Sequence, residues 1–174
     1  MRIIFSFFLI LLFSSSINAQ KIATIKISYL ISNSIAYVDF IKKLNITKLS
    51  YANSLKEDEK ELKHKEGKIQ DSKLILDETS LNNLIENYNK DFQSYQNKVN
   101  NFNLNIDNTI NSNQKIIINE IIPITQILSD SMNIDIILNE DQYFLSSHDS
   151  DISDIVLDEL NKKTIKLKIF KIKQ

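Results

Sequence analysis

The side chains best suited to chemistry in this chain are two histidines, a scatter of late acids and the hydroxyls; there is no cysteine. Without Cys there can be no disulfide, no thiolate nucleophile and no Cys-based zinc site. His64 and His148 lie far apart in unrelated contexts, and nothing specifies acidic partners that would make either a metal ligand. Asp149, Asp151 and Asp154 have a spacing that a calcium loop could use, but the Gly and the closing Glu of such a loop are missing. They read instead as helix-capping acids. Glu140-Asp141 falls in a predicted turn, where solvated acids are the ordinary case. With a single Gly there is no phosphate-cradling loop, and no hydroxyl stands with a plausible base. The chain therefore reads as a non-enzyme with no catalytic residue, no cofactor and no metal site.

The same composition speaks about architecture. The 174 residues hold one Gly, one Pro and no Trp. A compact fold with many tight turns needs several glycines, because Gly reaches positive φ without strain. Few turns and long elements follow. The Asn, Ile and Lys excess is compatible with codon bias, and no single Asn is assigned a role.

Residues 1–19 read as a secretory signal peptide: Arg2, then the apolar run Ile3–Phe13 broken only by Ser6, then a small polar region ending in Ala19. The run is about 11 residues, against the roughly 20 that span a bilayer. An uncleaved anchor is the competing reading. Gln20 follows where a lipoprotein would need Cys. Cleavage removes Arg2 and leaves 20 Lys against 22 Asp and Glu, a net of −2.

Lys21–Ile27 is β-branched and partly alternating, which predicts a strand. Ser28 or Ser34 can cap the helix that follows. From Ile35 to Leu76 the residues Leu55, Leu62, Ile69 and Leu76 recur every seven positions, while the partner positions Ala52, Glu59, Glu66 and Lys73 are mostly polar. A buried two-stranded coiled coil wants both positions apolar, so this helix should be thinly covered. Gly67 sits inside it. Asp77-Glu78-Thr79-Ser80 offers helix starters and places a tip near 76–80. A second seam follows through Leu81, Ile85, Tyr88, Phe92, Tyr95, Val99, Phe102 and Ile106, then Ile110, Ile117, Ile121, Ile124 and Leu128. Pro123 lies within the run, where it bends a helix. Ile134–Leu138 and Gln142–Leu145, split by Asn139-Glu140-Asp141, predict a strand–turn–strand; Asp151–Leu160 predicts a short helix capped by Asp151; Ile165–Ile169 alternates and predicts a last strand.

The fold class is thus α+β and mostly α. A small β body of about four strands carries a long antiparallel α-helical coiled-coil hairpin. Residues 20–34 form the first part of the body, 35–120 the hairpin, and 121–174 the second part of the body. Charge segregates at the end: residues 130–160 hold nine Asp or Glu and no Lys or Arg, and 162–173 hold six Lys and no acid. These blocks are expected to face each other.

The chain ends carry a family resemblance. Lys21-Ile-Ala-Thr-Ile-Lys-Ile-Ser-Tyr-Leu-Ile-Ser-Asn-Ser34 resembles the opening strand and helix start of the Skp/OmpH family of periplasmic chaperones. Ile121-Ile-Pro-Ile124, Ile134-Asp-Ile-Ile-Leu-Asn139, Tyr143-Phe-Leu-Ser146, Asp151-Ile-Ser-Asp154 and Leu160-Asn161-Lys162 resemble its closing signature in order and spacing. The resemblance implies three chains joined through their β bodies, three projecting hairpins around a cavity, and ATP-independent holding of unfolded outer-membrane proteins in the periplasm. Two departures stand out. Lys26 replaces a usually acidic position, and a net of −2 replaces a basic surface suited to anionic membrane or lipopolysaccharide. The hairpin, residues 42–110, holds 11 Lys against 11 acids, and no basic footprint for nucleic acid is present.

On this reading Ile22, Ile25, Ile27, Ile136, Leu138 and Phe144 are the candidate oligomerisation residues. Tyr88, Phe92, Tyr95 and Phe102 are candidate client contacts, with seam packing as their other reading. The alternative class is a structural or regulatory coiled-coil protein of the envelope that binds one folded partner.

Overall fold

A computed structural model describes residues 20–169; the expected signal peptide lies outside them. The elements run β1 (Ile22–Ile25), α1 (Ile27–Asn33), α2 (Ile35–Ser72), α3 (Glu78–Met132), β2 (Ile136–Asn139), a 3₁₀ turn (His148–Ser150) and α4 (Ser153–Lys162). The fold is mostly helical, with two very long helices and a two-stranded parallel sheet.

β1 and β2 pair with Ile22 opposite Ile136 and Ile25 opposite Asn139. The connection between them is the whole of α1 to α3. On the other side of β1 the chain adds one parallel bridge, Thr24 with Asp151, where Ile152 N–H donates to Thr24 O at 3.0 Å. The four expected strands are therefore two among the described residues. The Gln142–Leu145 strand does not form, because the turn closes on itself. Gln142 N–H donates to Asn139 O at 2.9 Å, and Asn139 N–H donates to Gln142 Oε1 at 3.0 Å. Residues 165–169 run without a ladder partner.

The helix expected from residue 35 is preceded by a separate one. Ser34, with φ −65° and ψ 136°, breaks α1 from α2, and its hydroxyl turns back to donate to Ile31 O at 3.0 Å rather than capping α2. Asn161 of α4 takes over that task, its Oδ1 accepting from Ile35 N–H at 2.9 Å. At the far end α2 stops at Ser72, and Asp77 caps α3 by accepting from Ser80 N–H at 2.9 Å. α2, with 38 residues, is about 57 Å long at 1.5 Å per residue. α3 continues past Pro123 and ends at Asn133, whose left-handed backbone (φ 52°, ψ 49°) is one that Asn tolerates.

Contacts between α2 and α3 descend one helix as they climb the other: Tyr51 meets Phe102, Asp58 meets Lys98, and Lys65 meets Asp91. Two apolar clusters hold the molecule. The body cluster joins Ala23, Ile25, Leu30, Ile31, Ile117, Ile121, Ile124, Ile134, Ile152, Val156 and Leu160. A smaller one at the root of the arms joins Phe40, Leu44 and Ile106. Tyr37 and Leu167 touch both. The expected facing of the acidic and basic blocks is not seen in the ion pairs of residues 162–169, the part of the basic block that is described. Among the described residues the two blocks share one ion pair, Lys162 with Glu159 one turn earlier, while Lys163 reaches Glu120 on α3 at 2.6 Å.

Candidate functional site

Beyond the root cluster the two arms bury little. α2 buries only Leu62 and Ile69 there, and α3 buries nothing before Ile106. This is the structural result of the polar half-seam: Glu59, Glu66 and Lys73 stay exposed. Lys65–Asp91 at 2.5 Å and Lys98–Asp58 at 2.8 Å bridge the arms instead. Hydrogen bonds to these carboxylates hold both ammonium groups above the usual lysine range. Pairs this exposed contribute little to stability.

The candidate aromatic contacts divide. Phe102 stacks on Tyr51 across the arms, with ring centroids 4.5 Å apart and an interplanar angle of 19°. Tyr95 lines the narrow crevice beside the two ion pairs. Tyr88 stacks on Phe92 at 6.1 Å. Tyr88 also lines, with Ile69, Leu84 and Lys65, an open groove of about 410 Å³. Phe92 is the exposed member, at 39%.

A second arm surface is absent from the sequence-based candidates. Ile35, Val38, Ile46 and Leu49 of α2 are exposed by 60, 37, 71 and 66%. At 100° per residue they fall within an arc of about 80°. That arc lies opposite the buried Phe40, Leu44 and Leu62, so none of these residues serves the inter-arm seam. The signal was present as an i, i+3, i+11, i+14 spacing, but the heptad through Leu55 and Leu62 marks only the other face. At the tip, Leu74 and Ile75 are exposed by 97 and 82%.

In the body, Ile22 and Ile136 stand side by side on neighbouring strands, both outward. Phe144 and Leu145 project fully from the loop after β2. Ile27 and Leu138 are half-buried. Ile25 is 6% exposed and packs in the chain's own core, which leaves little of it for a partner. Lys26, at the departure from the family pattern, pairs with Asp151 at 2.7 Å. Burial pushes the Asp151 carboxyl up, but hydrogen bonds from Lys26 and Ser153 outweigh it and hold it below the usual carboxylate range. Asp151 Oδ1 also accepts from Ser153 N–H at 2.9 Å, so it serves the first turn of α4 from just outside it. Tyr29 donates to Asp154 at 2.8 Å, and the Glu140 carboxylate accepts from both the hydroxyl and the N–H of Ser28. The late acids are thus tied to the N-terminal segment. Among the described residues no three His, Asp or Glu gather as a metal cluster, and no helix is long and apolar enough to cross a membrane.

The sequence also hid a buried polar residue, Asn113. It occupies the vacant step between Ile110 and Ile117 in the apolar seam of α3, is 1% exposed, and holds the backbone of Lys168.

Comparisons with known proteins agree with this architecture. A family model described as "Outer membrane protein (OmpH-like)" matches residues 21–160. A crystal structure from Caulobacter crescentus CB15, titled as an OmpH-like outer membrane chaperone, superposes with a TM-score of 0.76 at 13% identity. The match covers 90% of this chain and 92% of that one. Comparison with curated proteins finds no match.

Proposed function

The chain belongs to the OmpH-like outer membrane protein family, and from that premise we propose that it is an ATP-independent holdase of the periplasm. Its clients are unfolded outer-membrane β-barrel proteins, kept from aggregating on their way to the membrane. The observation that carries this reading is the arm itself, a long and sparsely packed helix pair with an exposed apolar stripe at Ile35, Val38, Ile46 and Leu49. A holdase must accept many sequences weakly, and a flexible apolar surface does so without chemistry. Tyr88 and Phe92 offer a second, separate apolar patch beside the open groove of the distal arm.

Self-association belongs to the same reading. Ile22 and Ile136 are exposed side by side on the sheet, Phe144 and Leu145 project from the loop after β2, and among the described residues β2 pairs only with β1. Open strand edges and apolar surface of this kind are normally covered. Three copies joined there would set three antiparallel arms around one cavity. Export by a cleaved signal peptide in residues 1–19 supplies the compartment.

The test is aggregation of several unrelated unfolded β-barrel proteins at stoichiometric amounts, without nucleotide. Protection of all of them is the expected outcome. Protection of none, together with capture of one folded envelope protein, would replace the holdase with a coiled-coil adaptor.

A further inference from the structure

Residues 163–169 have the sequence of a strand and no strand beside them. Ile165, Leu167 and Ile169 are half-buried, while Lys166 and Lys168 are exposed, the alternation of an extended chain with one covered face. Ile165 and Leu167 pack on the body cluster, and Leu167 and Ile169 on the root of the arms. Where a neighbouring strand would stand there is one side chain. Asn113 Nδ2 donates to Lys168 O at 2.7 Å, and Lys168 N–H donates to Asn113 Oδ1 at 2.9 Å. A primary amide carries a donor and an acceptor as a peptide group does, so the pair reproduces one rung of a β ladder. It reads backbone and ignores the Lys168 side chain. The second Asn113 amide hydrogen donates to Thr109 O at 2.8 Å within α3; the Oδ1 acceptor and the first hydrogen still need a backbone opposite them, since unpaired buried polar atoms are penalised.

The present occupant is lightly held. Among the described residues, the Asn113 pair and Lys163 N–H to Leu160 O are the hydrogen bonds of this backbone. The segment also lies beyond residue 160, where the family match stops.

We propose that the groove at Asn113 is a binding site for an extended strand with apolar residues at alternate positions, and that segment 163–169 is its resident, displaceable occupant. Alternating strands are the chemistry of an unfolded β-barrel client. The inference therefore rests on the holdase reading and adds to it a place where a client is recognised through its backbone. One backbone rung with three alternate apolar contacts tolerates many sequences. The segment bridges body and arm root, so its displacement also frees the arm.

The probe is the peptide Lys-Thr-Ile-Lys-Leu-Lys-Ile, a copy of 163–169, with a scrambled control that clusters its apolar residues. The tethered segment competes at about millimolar effective concentration, so the full chain carrying Leu167→Asp, which loosens the segment without altering α3, should bind the peptide at least fivefold more tightly than the unmodified chain. Adding Asn113→Leu should abolish that binding. In the unmodified chain, saturating peptide should speed exchange of the Lys168 amide at least tenfold and leave α4 unchanged. No peptide binding to the Leu167→Asp chain, or binding that survives Asn113→Leu, overturns the proposal and leaves the segment a fixed strap. Peptide exchange without protection of unfolded clients would sink the holdase reading and spare the site; protection without peptide exchange would do the reverse.

Discussion

Leu62→Ala should open the arms and leave the body closed. Leu62 is 8% exposed and is one of two α2 residues buried beyond the root. Burying a leucine in a closed core and then deleting it costs about 2–5 kcal/mol, the upper end coming from the cavity left behind. Here Leu62 already borders a crevice of about 110 Å³ with Asp58, Lys65, Asp91 and Lys98, so little new cavity is made. The lower end, about 2 kcal/mol, applies. At 1.4 kcal/mol per factor of ten, that is about a 30-fold rise in the open fraction of the distal arms. Native-state hydrogen exchange reads it directly. Amides around Leu62 and Tyr95 should exchange about 30-fold faster, while those around Ile117, Ile121 and Val156, which belong to the separate body cluster, should not move. An equal loss of protection in both regions would show that arm and body unfold as one unit. It would refute the claim that sparse packing makes the arms independently mobile.

Gly67→Ala should slow arm exchange, since nothing lies within 4 Å of the added Cβ and Ala favours a helix interior over Gly by about 1 kcal/mol. Ile46→Ser with Leu49→Ser should weaken protection of unfolded clients at an unchanged melting temperature; full protection would remove the stripe from the client surface. Ile136→Asp or Leu138→Asp should dissociate the assembly or unfold the body in sedimentation and circular dichroism, and intact assembly in both variants would sink the edge assignment. The body should also weaken in acid. The Asp151 carboxyl is lower in the folded chain than its unfolded value of about 3.9, so its contribution is present above that value and is lost as pH falls through the folded one. Lys26 is raised, so its share persists below about 10.4 and is lost as pH rises through its folded value. Urea midpoints should therefore fall below about pH 4, and Asp151→Asn should flatten that decline.

Much of the architecture is written locally. Two long helices follow from the 3.6-residue periodicity and the scarcity of Gly and Pro, both properties of a segment by itself. Asp77 starts the second long helix through a bond to Ser80 only three residues away. The weak seam at Glu59 and Glu66 was equally visible, because a polar residue at a seam position stays polar whatever packs against it. The strands were another matter. Ile22–Ile25 and Ile136–Asn139 formed, but Tyr143–Leu145 and Ile165–Ile169 carry comparable β-forming residues and found no ladder. A strand exists only if a partner arrives, and partner choice depends on where distant segments are carried. The same reason hid Asn113. Among so many asparagines its type said nothing, and its place in an apolar seam looked like a gap. Only when the fold laid Lys168 across α3 did that gap acquire a buried donor and acceptor with a backbone to hold. Charge shows the limit too: the acidic and basic blocks are plain in the sequence, yet Lys163 turned to Glu120 and Asp151 to Lys26, because ion pairs form between neighbours in space.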